Sequence, residues 1–66
     1  MQYILMDKLT GLYLNDLKAV ERAKQFGARD RQGALVFFDR DTAQQEQWAL
    51  EEAYCMDVEL LALPYG

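Results

Sequence analysis

The side chains that enzymes use most often as nucleophiles and general bases are missing from this sequence. The chain contains no histidine and no serine, so neither a Ser-His nor a Cys-His pair can be assembled within it. The single cysteine, Cys55, therefore has no imidazole to raise its thiolate fraction. Neither a Walker-type phosphate loop nor a glycine-rich dinucleotide motif occurs. We predict a protein that is not an enzyme, has no catalytic residues and binds no cofactor.

Carboxylates are the remaining candidates for chemistry, and they include two close pairs. Asp39 and Asp41 stand where a helix is predicted to begin, and Glu51 and Glu52 follow each other later in that helix. Acids at a helix start cap the backbone and favour the helix dipole, so we interpret the first pair as structural. A divalent cation needs more oxygen ligands than this segment supplies, and zinc would have only Cys55 and carboxylates. The sequence predicts no metal site.

Charge is distributed unevenly along the chain. Residues 1–33 carry six bases and four acids, whereas residues 34–66 carry one base, Arg40, and seven acids, so the two halves have formal charges of +2 and −6. An acidic surface repels phosphates, which argues against direct binding to nucleic acid and favours a basic partner. The alternative is a solvated acidic face that maintains solubility and is partly neutralised by the N-terminal bases.

The length of 66 residues allows a single domain, residues 1–66, with a modest core. Such a chain buries only about 60% of the surface that it exposes when unfolded. One cysteine cannot form an internal disulfide, and small secreted domains usually need several. The first residues lack a basic segment typical of a signal peptide, and no stretch approaches the roughly 20 apolar residues of a membrane span. We expect a cytoplasmic protein without a membrane segment.

Four short apolar runs predict β-strands. Residues 3–6 and 12–14 are separated by a segment that ends in Gly11, whose freedom to adopt a positive φ favours a β-hairpin. Residues 34–38 form an uninterrupted apolar run, and residues 58–63, which include Glu59, form a last strand that Pro64 ends. Because these runs lack clean alternation, both faces of the predicted sheet are expected to be partly apolar.

Two further segments predict helices. The first covers residues 17–26, after the candidate N-caps Asn15 and Asp16 and before Gly27 as the C′ residue. The second covers residues 42–55 and follows a capping box that begins at Asp41. The order ββαβαβ predicts an α+β fold, with a small four-stranded antiparallel or mixed sheet and both helices on one face.

The only tryptophan, Trp48, falls within an acidic face of the second helix. At about 100° per residue, one side of this helix faces the sheet. The other side carries Gln44, Gln45, Trp48, Glu51, Glu52 and Cys55. An exposed tryptophan rimmed by carboxylates is a plausible interface anchor, since tryptophan is enriched among binding hot spots. The alternative is that Trp48 turns into the core, because tryptophan is highly buried on average.

In length, acidity, lack of catalytic residues and predicted ββαβαβ order, the chain resembles the small proteins that bacteriophages encode against host defences. Among these it is most similar to type I anti-CRISPR proteins, some of which are acidic mimics of double-stranded DNA. The resemblance implies a stoichiometric inhibitor in the bacterial host cell that binds the CRISPR surveillance complex and blocks target DNA binding. The expected partner-binding residues are Asp41, Glu46, Trp48, Glu51, Glu52, Asp57 and Glu59.

The alternative hypothesis belongs to a different functional class. In this interpretation the chain is a small phage or bacterial accessory domain that self-associates through the open face of its sheet and has a structural or regulatory role. Both a monomer and a homodimer are compatible with the sequence. One contiguous negative face would favour the inhibitor, whereas interleaved charges and an apolar sheet face would favour the assembly protein.

Overall fold

The sheet is built from the two ends of the chain. In the computed structural model, which describes residues 1–64, β1 (Gln2–Asp7) pairs antiparallel with β2 (Val58–Leu63). The register places Ile4 opposite Leu61 and the next residues, Leu5 and Leu60, opposite each other. Between the strands the chain forms α1 (Leu17–Ala23), a short 3-10 helix (Arg31–Gly33) and α2 (Arg40–Tyr54). The fold is therefore α+β. Neither α-helix described within residues 1–64 has the length and apolar composition of a membrane span.

The predicted four-stranded sheet of order ββαβαβ is wrong, because the described residues form a sheet of only two strands. Residues 12–14 and 34–38 do lie beside β1, on the edge opposite β2, but each contributes only an isolated bridge to β1. The bridge of Tyr13 is to Met6, and that of Phe37 is to Tyr3. The two segments divide one six-residue edge between them, so neither has room for a ladder of its own.

The chain reversal predicted between the first two apolar runs does form. The backbone N–H of Asp7 donates to the carbonyl of Leu12 at 2.8 Å, and that of Gly11 donates to the carbonyl of Asp7 at 2.8 Å. Gly11 has a φ of +76°, a conformation that glycine adopts at little cost. The buried carboxylate of Asp7 accepts from the backbone N–H of Leu9 at 2.9 Å and so supports the turn from inside.

Apolar side chains are buried on both faces of the sheet, as the lack of alternation predicts. The larger cluster lies on the face that α2 covers and contains Leu5, Leu14, Val20, Phe26, Leu50 and Val58. Burying a side chain such as Phe26 contributes about 1.5–3 kcal/mol. A smaller cluster of Ile4, Ala34 and Leu63 lies on the other face, where flanking side chains such as Leu61 are only half-buried.

The first helix is shorter than predicted, because it ends at Ala23 and not at Phe26. Asp16 is its N-cap, as expected, and its carboxylate accepts from the N–H of Lys18. At the other end Lys24, and not Gly27, adopts the left-handed conformation, with a φ of +60°. Ending the helix here releases Phe26 to enter the core, where it is fully buried.

The second helix begins at Arg40, two residues earlier than predicted, and its N-cap is not the predicted residue. Asp39, not Asp41, is the N-cap, and its carboxylate accepts from both the backbone N–H and the hydroxyl of Thr42, at 3.2 and 2.9 Å. The helix ends at Tyr54, where Cys55 takes up the left-handed conformation with a φ of +55°. Asp41 thus lies in the first turn, where its charge favours the helix dipole.

Candidate functional site

The side of α2 that faces away from the sheet carries the candidate binding surface. Ala43 and Leu50 are buried against the sheet, which fixes the rotation of the helix. The residues on the opposite side are spaced at i, i+4, i+7 and i+11, which places them in one row along the helix. We call this row the outer stripe: Asp41, Gln45, Trp48 and Glu52, all of them exposed.

Trp48 lies at the surface and not in the core. It is 58% exposed, although large aromatic residues tend to be buried in proteins of any size. The rotation of α2 explains this position, since Trp48 is about 160° around the helix from Leu50. The nearest charged neighbours in the outer stripe are Glu52, four residues ahead, and Asp41, seven residues behind. An exposed indole therefore stands between two exposed carboxylates.

Glu51 turns away from the outer stripe and has a structural contact. Its Oε2 accepts from the backbone N–H of Val58 at 3.3 Å. One turn earlier, the Nε2 of Gln47 donates to the carbonyl of the same residue at 2.8 Å. The two side chains thus satisfy both backbone groups of Val58, where β2 begins. Glu51 is adjacent to Glu52 in sequence, but it is half-buried and its carboxylate already accepts a hydrogen bond.

The remaining predicted partner-binding residues do not join the outer stripe. Glu46 is half-buried on the opposite flank of α2 from Glu51. Asp57 is exposed after the helix, and its Oδ1 lies 3.7 Å from Nζ of Lys8. Glu59 is half-buried on β2. Of the seven residues expected to bind a partner, the structure brings together only Asp41, Trp48 and Glu52.

Basic side chains interrupt the acidic half of the molecule at two places. Lys8 reaches Asp57 across the pair of strands, so part of the −6 charge on residues 34–66 is neutralised by the N-terminal half. Arg40 is exposed at the start of α2, next to Asp41. The acidic half therefore does not present an uninterrupted negative surface.

Sequence reasoning missed a concavity of about 550 Å³, which lies between the turn after β1 and the end of α2. Two lysines and two aspartates line it together with Tyr54, whose ring centroid lies 5.1 Å from Nζ of Lys24. Its walls come from three distant segments, so no local pattern signals it. Among residues 1–64 no group of three potential metal ligands is found there or elsewhere.

Comparison with known proteins adds no assignment to this geometry. No protein-family model, no curated protein and no solved structure matches the chain.

Proposed function

We propose that the protein is a non-enzymatic inhibitor that binds a basic, nucleic-acid-binding host complex through the outer stripe of α2 and blocks its binding to DNA. A CRISPR surveillance complex in a bacterial host cell is the partner that the resemblance implies. The observation that carries the proposal is the exposed Trp48 between the carboxylates of Asp41 and Glu52. This combination offers both an anchor and a charge that complements a groove lined with lysine and arginine.

The roles of tryptophan and acids in this surface differ. From Asp41 to Glu52 the helix rises about 16 Å, a length over which duplex DNA carries roughly ten phosphates. The outer stripe has two carboxylates over the same length. We therefore assign most of the binding free energy to Trp48 in a pocket of the partner. The two acids steer association and set the orientation, as exposed charges do at many interfaces.

Charge reversal in the outer stripe tests the proposal. Inhibition of DNA binding by a type I surveillance complex is measured with the wild type and with an Asp41→Lys, Glu52→Lys variant. Both positions are exposed, so Glu52→Lys is expected to change the free energy of unfolding by no more than about 0.5 kcal/mol. Asp41→Lys also loses a favourable charge in the first turn of α2 and is expected to cost about 1 kcal/mol. The variant should inhibit much less, because two attractive charges become repulsive. Glu51 is left unchanged, since its reversal would also disturb Val58.

The matched control is Glu21→Lys, which reverses an exposed acid on α1. It should inhibit as well as the wild type. Equal inhibition by the wild type and the outer-stripe variant would show that the interface lies elsewhere. Unimpaired DNA binding in the presence of saturating wild-type protein would overturn the proposed inhibition.

A further inference from the structure

The outer edge of β2 is open along part of its length. On β1 the backbone groups of Tyr3, Leu5 and Asp7 point away from β2, because they bond to residues on the other side. The alternating pattern of an antiparallel ladder then directs the even-numbered residues of β2 outward. Leu60 and Ala62 point their N–H and C=O groups to this edge, and neither residue has a partner for them among residues 1–64.

Both ends of this open stretch are closed to further strand pairing. The outward groups of Val58 are already bonded to Glu51 and Gln47 of α2. At the other end Pro64 has no N–H to donate. Natural sheets protect their edges with charges, prolines or bulges. Here the protection covers the two ends but leaves Leu60, Leu61 and Ala62 between them, without a charge.

We propose that the open edge of β2 pairs antiparallel with β2 of a second copy of this chain, about a two-fold axis at Leu61. In this register Leu60 of one copy faces Ala62 of the other, and the reverse pair follows by symmetry. All four outward N–H groups and all four outward C=O groups are then bonded. The same register brings Val58 level with the partner's Pro64. The ladder therefore ends where Gln47 and Glu51 already occupy the edge and where proline has no N–H to donate.

The side chains fit this pairing without a clash of like charges. On the axis Leu61 meets its own copy, and Glu59 faces the partner's Leu63. The register therefore extends the apolar cluster around Ile4 from one copy to the next. Arg40 lines a concavity of about 230 Å³ beside Leu60 and Ala62, so a base and not an acid of α2 lies near this part of the edge.

A second copy satisfies this edge better than an unrelated strand would. The open stretch is symmetric about Leu61, with one bonding residue and one blocked residue on each side of it. Any other register of two copies sets a bonding residue against Val58 or Pro64 and leaves its groups unpaired. The result is a continuous four-stranded antiparallel sheet in the dimer. Both outer stripes stay exposed, since they point away from the sheet, so the dimer is independent of the proposed inhibition.

Measuring the mass in solution over a dilution series tests the pairing. The wild type should reach twice the mass of the chain as its concentration rises. In Ala62→Lys, lysines from the two copies become diagonal neighbours roughly 7–8 Å apart, and the dissociation constant should rise about tenfold or more. Ala49→Lys is the matched control, because Ala49 is equally exposed but lies on α2. It should dimerise like the wild type. A wild type that stays monomeric at every concentration would overturn the proposal.

Disulfide trapping tests the register. In a Cys55→Ala background, Leu61→Cys places two thiols on the two-fold axis, in a non-hydrogen-bonded pair with a Cα separation of about 4.5 Å, within disulfide reach. Mild oxidation should give a covalent dimer. Glu59→Cys is the control on the same face, where the two thiols are roughly 14 Å apart and should remain uncrosslinked. Efficient trapping by Glu59→Cys and none by Leu61→Cys would overturn the register.

Discussion

Trp48 is held at the surface by its neighbours on α2, because Ala43 and Leu50 occupy the positions that face the sheet. Moving Trp48 inward would require rotating the helix and exposing Leu50. It would also separate Gln47 and Glu51 from Val58. The exposure of this tryptophan is thus a property of the whole helix packing and not of one rotamer.

Trp48→Ala is expected to have a small effect on stability. We predict a change in the free energy of unfolding below about 1 kcal/mol, since the side chain is 58% exposed, whereas a buried tryptophan would cost about 3–5 kcal/mol. The same exposure predicts red-shifted emission that acrylamide quenches. Urea unfolding and quenching measure the two properties. Blue-shifted emission with a large loss of stability would place Trp48 in the core.

Glu51 and Glu52 are expected to behave differently despite being adjacent. Glu51→Ala removes the acceptor of the Val58 N–H and should cost about 1 kcal/mol of unfolding free energy. Glu52→Ala is the matched control, because Glu52 is exposed and forms no hydrogen bond within residues 1–64, and it should change stability by less than about 0.5 kcal/mol. Urea denaturation compares the two. Equal stabilities would contradict a structural role for Glu51.

The N-cap of α2 is expected to contribute more to the stability of the protein than the acid in the first turn of the helix. Asp39→Ala removes a side chain that bonds both the N–H and the hydroxyl of Thr42, and should cost about 1 kcal/mol. Asp41→Ala removes only a favourable charge in the first turn and should cost roughly 0.3–1 kcal/mol at low salt, less at high salt. Thermal or urea unfolding at two salt concentrations separates them. A larger cost for Asp41→Ala would contradict the observed cap.

The helices were easier to predict from the sequence than the strands. The 3.6-residue period of α2 is local, so spacing alone predicts the buried side with Leu50 and places Trp48 on the other side. Spacing does not decide whether the indole turns into the core, and the structure shows that it is exposed. An apolar run such as residues 34–38 shows that a segment is buried but not what it pairs with. The pairing depends on which segments compete for β1, and β2 reaches it from the far end of the chain.

The residues of the candidate site likewise divide into those that local spacing predicts and those that depend on contacts between elements. Asp41, Trp48 and Glu52 share the outer stripe because helical periodicity puts them there. Glu51 is lost from the surface because Val58 lies within its reach, a contact between α2 and β2 that no local pattern encodes. The pairing of Asp57 with Lys8 is likewise set by the register of the two strands.

At the scale of the whole molecule, β1 and β2 join the two ends of the chain into one sheet, and both helices and the intervening segments pack around it. We therefore predict a single cooperative unfolding transition, unaffected by a chelator or a reductant, because residues 1–64 contain no group of three potential metal ligands and Cys55 is the single cysteine of the sequence. Calorimetry with and without each reagent measures this. A chelator-dependent loss of structure would contradict the prediction.

The proposed function requires the protein and DNA to compete for one site on a basic partner. A direct test is to saturate a type I surveillance complex with this protein and then add target DNA. The mass and composition of the species that form are measured. Competition predicts two mutually exclusive complexes, one with the protein and one with DNA. Binding of the protein should also weaken as salt rises, since exposed charges are screened beyond about 8 Å at physiological ionic strength. A ternary species that contains the surveillance complex, DNA and this protein would contradict it.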